Sequence, residues 1–244
     1  MQRTVLGLLQ LDGIEFVNNI IVVDNGSDDE TYRIVHDIMQ GQPPGKIHYA
    51  SEQKKGKPFA LNTGMRLSTA PIVVFTDDDV DFDSSWLQVI MDRFQSANVQ
   101  CLTGKIVPRV EFELPKWYSQ DLSTVLGSVD LADHPIPTEC VTGANMALRR
   151  EALQLAGEFQ MDADMVNEDT VFSHKIRNAG CEIYYEPSMI VYHRFQEEKF
   201  NKAYFRHWYF RSGKTIAGLN KMKDRRFKCV RGVPLWRYRQ GFIC

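Results

Sequence analysis

The sequence has no apolar run that approaches the roughly 18 residues needed to cross a bilayer as a helix. It also lacks an excess of charge of one sign, because 29 basic and 31 acidic residues leave a formal net charge of -2. Nucleic acid is therefore not indicated as a partner of the chain. The 244 residues, 43% hydrophobic and 25% charged, are typical of one globular domain with a substantial core.

Cysteines are few and irregularly spaced. They form an odd set of five without a CxxC pair, which argues against a disulfide framework and against a structural zinc site. They are Cys101, Cys140, Cys181, Cys229 and Cys244. No small-residue cleavage site follows the short apolar patch at the amino terminus, so we expect no signal peptide. A reducing cytosol is the location that fits these features best.

Three consecutive carboxylates, Asp77, Asp78 and Asp79, directly follow an apolar segment. That segment, residues 72–75, is typical of a strand covered on both faces, so the acids fall at its carboxyl end, where open α/β sheets bind ligands. Adjacent like charges raise one another's pKa unless a cation neutralises them, so the triplet predicts a divalent metal site. A solvated acidic turn is the alternative interpretation.

Apolar runs alternate with helical patterns through the first half, which predicts an α/β fold with a Rossmann-like, mainly parallel sheet flanked by helices. Strands are predicted at about 20–23, 47–50, 72–75, 99–106, 141–148, 181–185 and 189–192. Helices are predicted at about 31–39, 58–67, 84–94, 114–127, 167–180 (with Asn167 as its cap) and 197–219.

We expect one domain over residues 1–219, with halves at about 1–107 and 108–219, and a tail over residues 220–244. The tail is amphipathic and strongly basic, with Asp224 its single acid. It suits either contact with anionic lipid or a phosphorylated acceptor, or a solvated end. Peripheral contact with the inner face of a membrane is therefore one expectation for this segment.

Four further features could meet at the same edge of the sheet. Asp24 directly follows a predicted strand, although its neighbours are also common turn residues. Lys57 opens a helix, where a lysine and free amides could meet a phosphate. Glu168 and Asp169 lie in a first helical turn, where the helix dipole alone would stabilise them. His193 follows a strand and is a candidate metal ligand, although a lone histidine is usually structural.

Together these segments resemble the family 2 glycosyltransferases of the GT-A fold, from about Ile14 to Leu219. Six segments match in the right order, and their order makes the resemblance specific. They are residues 22–29, Gly56-Lys57 with residues 60–64, the DxD motif in Thr76-Asp77-Asp78-Asp79, residues 143–150, the Glu168-Asp169 pair, and Tyr185-Glu186-Pro187 followed by His193.

The resemblance implies a metal-dependent enzyme that takes a sugar from a nucleotide-sugar donor, with a UDP-sugar favoured. It assigns donor binding to Asp24, Lys57, Asp77 and Asp78. It assigns a divalent ion, Mn²⁺ or Mg²⁺, to Asp79 and His193.

For the acceptor side, the resemblance implies that Asp169 is the general base and that Glu168 orients it or binds an acceptor hydroxyl. It places Gly143 and Asn145 on the acceptor-binding strand. The acceptor would be a saccharide or a lipid-linked saccharide, and attack opposite the leaving group would invert the anomeric configuration.

The sequence departs from the family pattern at its start. Family members begin with a hydrophobic strand, whereas residues 1–16 look like the helix that ordinarily follows it. A missing central strand would leave backbone edges unpaired and weaken the nucleotide pocket. We expect a version extended upstream by a strand to be more stable and more active.

Three other interpretations remain open. A haloacid-dehalogenase-like phosphatase also carries Asp-x-Asp after a strand, but usually on its first strand and followed by Thr, whereas Val80 follows here. A sugar nucleotidyltransferase would want an early glycine-rich basic loop, which the sequence lacks. A degenerate glycosyltransferase could bind nucleotide without turnover, although the presence of Asp79, Asp169 and His193 argues against it.

Overall fold

The structure, a computed structural model, describes residues 1–96, 98–160, 167–222, 229–230 and 233–234, without the side chains of residue 96 and of those beyond 218. The helices are α1 Gln2–Leu9, α2 Thr31–Gln40, α3 Lys57–Leu67, α4 Trp86–Ser96, α5 Arg150–Ala156, α6 Glu168–Asn178 and α7 Lys202–Met222. The strands are β1 Ile20–Asp24, β2 Ile47–Ser51, β3 Ile72–Thr76, β4 Val80–Phe82, β5 Cys101–Arg109, β6 Ile136–Thr138, β7 Asn145–Arg149, β8 Ile183–Arg194, β9 Cys229–Val230 and β10 Val233–Pro234.

The strands that carry the candidate site form two sheets. Strands β1 and β2 form a parallel pair, and a six-stranded sheet has the order β3-β7-β5-β8-β4, with β6 also paired to β8. Among the described residues, one edge of β1 and one edge of β3 have no partner strand. Two small strands, β9 and β10, pair with each other.

The α/β architecture with helices around a central sheet is confirmed, but the expected parallel direction needs correction. In the six-stranded sheet β5–β8 is the one parallel pairing among the described strands, and the other four pairings are antiparallel. The prediction failed because an apolar run indicates only that a strand is covered on both faces. An antiparallel strand that is covered on both faces has the same pattern as a parallel one. The short strands β4 and β6 escaped detection because three residues are too few to show a period.

The core lies on both faces of the larger sheet. On one face, Phe172 and Ile176 of α6 pack in a buried cluster with Leu148 of β7. On the other face, Trp86 and Ile90 of α4 join a second buried cluster. Helices thus cover the sheet on both sides and hold its strand ends, where the site lies, in fixed positions.

The two strands predicted at 181–185 and 189–192 are one continuous strand, β8, with a bulge. Its pairing with β5 jumps from Gly104↔Glu186 to Lys105↔Ile190, so that three residues of β8 stand outside the register. A β-carbon on Gly104 would lie 2.1 Å from the carbonyl oxygen of Met189. Only glycine therefore allows β8 to approach β5 this closely at the bulge.

Asn145 completes the hydrogen bonding of this bulge. Its Nδ2 donates to the carbonyl oxygens of Lys105, at 3.0 Å, and Met189, at 2.8 Å, and its Oδ1 accepts from Nε1 of Trp86 at 2.9 Å. The residue is fully buried. The expected acceptor-binding role of Asn145 is therefore corrected: its amide replaces missing ladder bonds inside the sheet and does not reach the surface.

Three predicted elements are shorter or different. The helix expected at 114–127 is only a 3₁₀ helix, Gln120–Leu126. The strand expected at 141–148 begins at Asn145. Asn167 precedes α6, but its side chain makes no cap bond and donates instead to Oγ of Ser212 at 2.7 Å. Its backbone is left-handed, with φ of 62°.

Within the part of the chain that the structure describes, no helix combines the length and the apolar character that a membrane span requires. The basic amphipathic tail is predicted over residues 220–244, and the side chains of these residues lie outside the part that the structure describes. The division of residues 1–219 into two halves stays a prediction.

Candidate functional site

Strand pairing brings two of the predicted metal ligands together. Asp77 and Asp79 lie in the turn between β3 and β4, and β4 pairs with β8 so that Val80 lies opposite His193. Possible ligand atoms of Asp77, Asp79 and His193 all lie within 4.8 Å of one another. Carboxylate oxygens with one imidazole suit Mn²⁺ or a similar divalent ion.

The local bonding fits a cation. Oδ1 of Asp79 is buried and makes no hydrogen bond to a described residue, although Nε2 of His193 lies 3.2 Å away. Nδ1 of His193 lies 2.9 Å from the carbonyl oxygen of Leu126, which fixes the proton on Nδ1 in the neutral ring and leaves the Nε2 lone pair for a metal. A buried oxygen without a donor, beside a free imidazole nitrogen, is the arrangement that a metal ion would complete.

Asp79 and His193 also shift each other's pKa. Burial raises the pKa of Asp79, but the neighbouring imidazole outweighs burial and the pKa falls below its ordinary value. Burial lowers the pKa of His193, but the Asp79 carboxylate outweighs it and the pKa rises. The carboxylate is therefore ionised at neutral pH, as a metal ligand must be.

The other two acids of the triplet, Asp77 and Asp78, lie in different surroundings. Asp77, which the resemblance assigns to the donor, belongs to the candidate metal group. Asp78 is exposed and, among the described residues, is not part of that group. Its contact with the donor stays a prediction.

Lys57 bridges the metal group and the acidic pair of α6. Its Nζ lies 2.5 Å from Oδ1 of Asp77 and 3.4 Å from Oε1 of Glu168. Burial lowers the pKa of Lys57, but the charges of Asp77 and Glu168 raise it by a larger amount. The pKa of Lys57 therefore lies above its ordinary value. The ammonium stays charged at neutral pH beside the candidate metal group. Its contact with a donor phosphate stays a prediction.

Asp169 lies in the first turn of α6, with both carboxylate oxygens held. Oδ2 accepts from the backbone N–H of Gly143 at 3.1 Å, and Oδ1 accepts from the backbone N–H of Thr170 at 2.7 Å. Burial and the charge of Glu168 raise its pKa to about 6. A carboxylate with this pKa is ionised at neutral pH and a stronger base than an exposed one.

Gly143, assigned to the acceptor side, lies between Asp169 and Lys57. A β-carbon there would lie 3.3 Å from Nζ of Lys57 and 3.7 Å from Oε1 of Glu168. The absence of a side chain leaves room for the lysine. Contact of Gly143 with an acceptor stays a prediction.

Asp24 ends β1 and is nearly buried. Oδ1 accepts from the backbone N–H of Ser27 at 2.8 Å, and Oδ2 accepts from the hydroxyl of Tyr49 at 2.7 Å. Burial raises the pKa of Asp24, but these bonds lower it to below its ordinary value. Burial and Asp24 raise the pKa of Tyr49 to about 12. Tyr49, a residue that sequence reasoning missed, thus fixes a carboxylate predicted to meet the nucleotide.

Asn25, read from the sequence as a turn residue, joins β1 to α3. Its Oδ1 accepts from the backbone N–H of Gly56 at 2.6 Å, and its Nδ2 donates to the carbonyl oxygens of Lys54, at 2.7 Å, and Glu52, at 3.2 Å. The bonds hold the end of β1 beside the start of α3. Asp24 and Lys57 are thereby kept at neighbouring strand and helix ends, a contact no local sequence signal could have shown.

Residues 1–155 match a family described as glycosyl transferase family 2. The chain is also 25% identical over 206 residues to the poly-beta-1,6-N-acetyl-D-glucosamine synthase of Staphylococcus epidermidis, a match covering 79% of this chain and 46% of that protein. The chain spans about half the length of this curated relative.

Two solved structures share the fold. GalNAc-T7 with UDP, GalNAc and Mn²⁺ gives a TM-score of 0.62 at 14% identity, covering 98% of this chain and 50% of that one. The mannosyltransferase PcManGT from Pyrobaculum calidifontis, in complex with GDP-Man and Mn²⁺, gives 0.59 at 20% identity, covering 92% and 60%. The expected GT-A fold is confirmed by these likenesses. The family match extends over more than half of the sequence, and the chain belongs to glycosyl transferase family 2.

Proposed function

We propose that the chain is a metal-dependent glycosyltransferase that moves a sugar from a nucleotide-sugar donor to an acceptor hydroxyl with inversion. One observation carries this proposal: Lys57 links the candidate metal group, through Asp77, to the acidic pair of α6, through Glu168. A leaving-group site and a base thus share one edge of the molecule. This is the arrangement that transfer to a hydroxyl requires.

On the donor side, Asp24 would contact the base or ribose and Lys57 the diphosphate. Asp77, Asp79 and His193 would hold Mn²⁺ or Mg²⁺. When bound, the ion would neutralise charge that develops on the departing nucleoside diphosphate. A positive lysine beside this group adds to the same stabilisation, because it is charged at neutral pH.

On the acceptor side, Asp169 takes the proton of the attacking hydroxyl. The acceptor oxygen forms a bond to the anomeric carbon as the bond from that carbon to the phosphate oxygen breaks, and the electron pair leaves with the diphosphate. The amides of Gly143 and Thr170 hold the Asp169 carboxylate in place during this step. Because attack comes from the face opposite the leaving group, the anomeric configuration inverts.

We favour a UDP-sugar donor and a saccharide or lipid-linked acceptor in glycan or cell-envelope polysaccharide synthesis. The support is the name of the Staphylococcus epidermidis relative, a polysaccharide synthase, and the UDP bound to GalNAc-T7. The GDP-Man bound to PcManGT makes a guanosine nucleotide the competing choice.

We further propose that the enzyme acts at the cytosolic side of a membrane and that residues 220–244 make peripheral contact with anionic lipid. The support is the sequence alone: many lysines and arginines, interleaved with apolar residues. Flotation with vesicles that contain phosphatidylserine should recover the protein at low salt. Equal recovery with purely zwitterionic vesicles, or none with either, would argue against this location.

The donor site is tested by thermal unfolding with UDP, GDP, TDP and CDP, each with and without Mn²⁺. Binding at 100 times the dissociation constant adds roughly 2.7 kcal/mol, or about 5–10 °C for a domain of this size. We expect a metal-dependent shift that is largest for UDP and absent in Asp79→Ala. Asp37→Ala on the surface of α2 is the control and should keep the shift. A folded wild-type protein without any shift would contradict the proposal.

A further inference from the structure

The backbone carbonyl groups of the turn that carries Asp79 accept hydrogen bonds from α1 and β8. Oγ1 of Thr4, in α1, lies 2.7 Å from the carbonyl oxygen of Asp78 and 3.0 Å from that of Val80. The backbone N–H of Arg194 donates to the carbonyl oxygen of Asp79 at 2.8 Å. Among the described residues, three successive carbonyls are thus held by two residues, Thr4 in α1 and Arg194 at the end of β8.

Thr4 and Arg194 also bind each other. The hydroxyl has a single proton, which it shares between its two carbonyl partners, and its oxygen accepts from Nη2 of Arg194 at 2.9 Å. Nη1 of Arg194 donates to the carbonyl oxygen of Val80 at 3.1 Å. Thr4 is buried. Its carbonyl partners flank the candidate ligand Asp79, and Arg194 directly follows the candidate ligand His193, so both ligands are attached to this network through their neighbours in the chain.

Asp81 anchors the network to the rest of the fold. Its carboxylate pairs with Arg194, with Arg109 of β5 at 2.6 Å, and with Arg3 of α1 at 2.5 Å. One carboxylate thereby joins α1, β5 and β8 to its own strand, β4. We call Thr4, Asp81 and Arg194 the brace.

We propose that the brace positions Asp79 and His193 for a divalent ion, an inference that rests on the proposed function. Without an ion, Asp77 and Asp79 repel each other and their turn would tend to open. Hydrogen bonds to its carbonyls oppose that opening. They keep the ligand atoms of Asp77, Asp79 and His193 at the spacing seen here, so that less ordering is needed when the ion binds. The brace residues are positioning residues and do not touch the ion.

The test is the affinity for Mn²⁺ alone, measured from the electron paramagnetic resonance signal of free Mn²⁺, which requires no turnover. Thr4→Val keeps the shape of the side chain and removes the hydroxyl. We expect affinity about tenfold weaker, in the range found for residues that orient metal ligands. Thr4→Ser keeps the hydroxyl and should restore the wild-type affinity. Arg194→Lys, which retains the backbone N–H but loses the guanidinium, should also weaken binding.

Ser68→Ala is the matched control, because Oγ of Ser68 accepts from Nη2 of Arg150 at 3.0 Å, a bond like that between Thr4 and Arg194. It should lose stability without losing Mn²⁺ affinity. All variants are measured at a temperature where circular dichroism shows them folded. If folded Thr4→Val and Arg194→Lys both bind Mn²⁺ as wild type does, or if Ser68→Ala weakens binding equally, the brace has no such role. A wild-type protein that binds no Mn²⁺ overturns the proposed function and this inference together.

Discussion

Among single residues, Asp169 bears most directly on chemistry, because it is the carboxylate that we propose takes the proton of the acceptor. Asp169→Asn should lower turnover by roughly 10²- to 10⁴-fold, the usual contribution of a general base. Donor affinity should be nearly unchanged, because the contacts of the metal group do not involve this side chain. Turnover with the nucleotide sugar and titration with UDP and Mn²⁺ would measure the two effects.

Two results would change the assignment of Asp169. Equal loss of donor affinity and turnover in Asp169→Asn would make it a binding residue. Wild-type protein that binds UDP and Mn²⁺ but transfers no sugar to any acceptor would favour the degenerate, nucleotide-binding alternative.

The raised pKa of Asp169 predicts the acid side of the pH profile. A base acts only when ionised, and burial with the Glu168 charge raises the pKa of Asp169 to about 6. Below that pH the carboxyl is protonated, so kcat/KM should fall tenfold for each pH unit as the pH decreases, and should level off above about 6. Measuring kcat/KM from pH 4.5 to 8 would test this pH dependence. A level profile down to pH 5 would exclude this residue as the base.

Residue types and their order were enough to predict that Asp79 and His193 lie together beside the Asp77 carboxylate. Asp24 and His193 lie in the last residues of strands, and Lys57 and Asp169 lie in the first turns of helices. The roles that the resemblance assigns to them stay predictions. Asn145 failed because a buried asparagine in a bulge and an exposed one in a binding site look alike in sequence. Tyr49, Asn25 and the brace could not be predicted, because their partners lie 25 or more positions away along the chain.

At the scale of elements, the β5 and β8 bulge yields a stability prediction. Gly104→Ala would place a β-carbon 2.1 Å from the Met189 carbonyl oxygen and 2.3 Å from Nδ2 of Asn145. Both neighbours are held by hydrogen bonds and cannot move cheaply. We expect the free energy of unfolding to fall by more than about 3 kcal/mol, at the upper end of overpacking effects.

Gly218→Ala in α7 is the matched control, because a β-carbon there lies within 4 Å of no neighbouring atom in the part of the chain that the structure describes. It should raise the free energy of unfolding by roughly 0.5–1 kcal/mol. Urea unfolding measures both variants. Equal stability of Gly104→Ala and wild type would mean that the two strands separate at the bulge without cost.

Helices and strands with strong local signals were predicted within a few residues, as with α2 and α3. The failures have a common physical cause. Residues 114–127 contain many apolar positions, but Trp117 there packs on Phe200 and Phe205 of a distant segment, so tertiary contacts decide its path. Pairing direction in the larger sheet also depends on contacts that no local pattern encodes.

At the scale of the whole molecule, the two sheets should differ in local stability. Strand β5 is paired on both sides, with β7 and β8, whereas β1 has a partner on one side only among the described residues. Backbone amides of β5 should therefore exchange with solvent more slowly than those of β1. Hydrogen exchange followed by mass spectrometry would test this, and equal protection would show that the two sheets open as one unit.

The β8 bulge has a consequence for the way the chain tolerates insertions and deletions. Side chains of a strand alternate between the two faces of the sheet, and the face that His193 occupies is set by its pairing with Val80 of β4 and Pro108 of β5. The three residues of β8 between its two registers stand outside the pairing with β5. A deletion or insertion of one residue among them would change the length of the bulge and leave the pairing on both sides in place. Such a change should keep the imidazole beside Asp79, whereas the same change between Ile190 and His193 would turn it to the other face of the sheet.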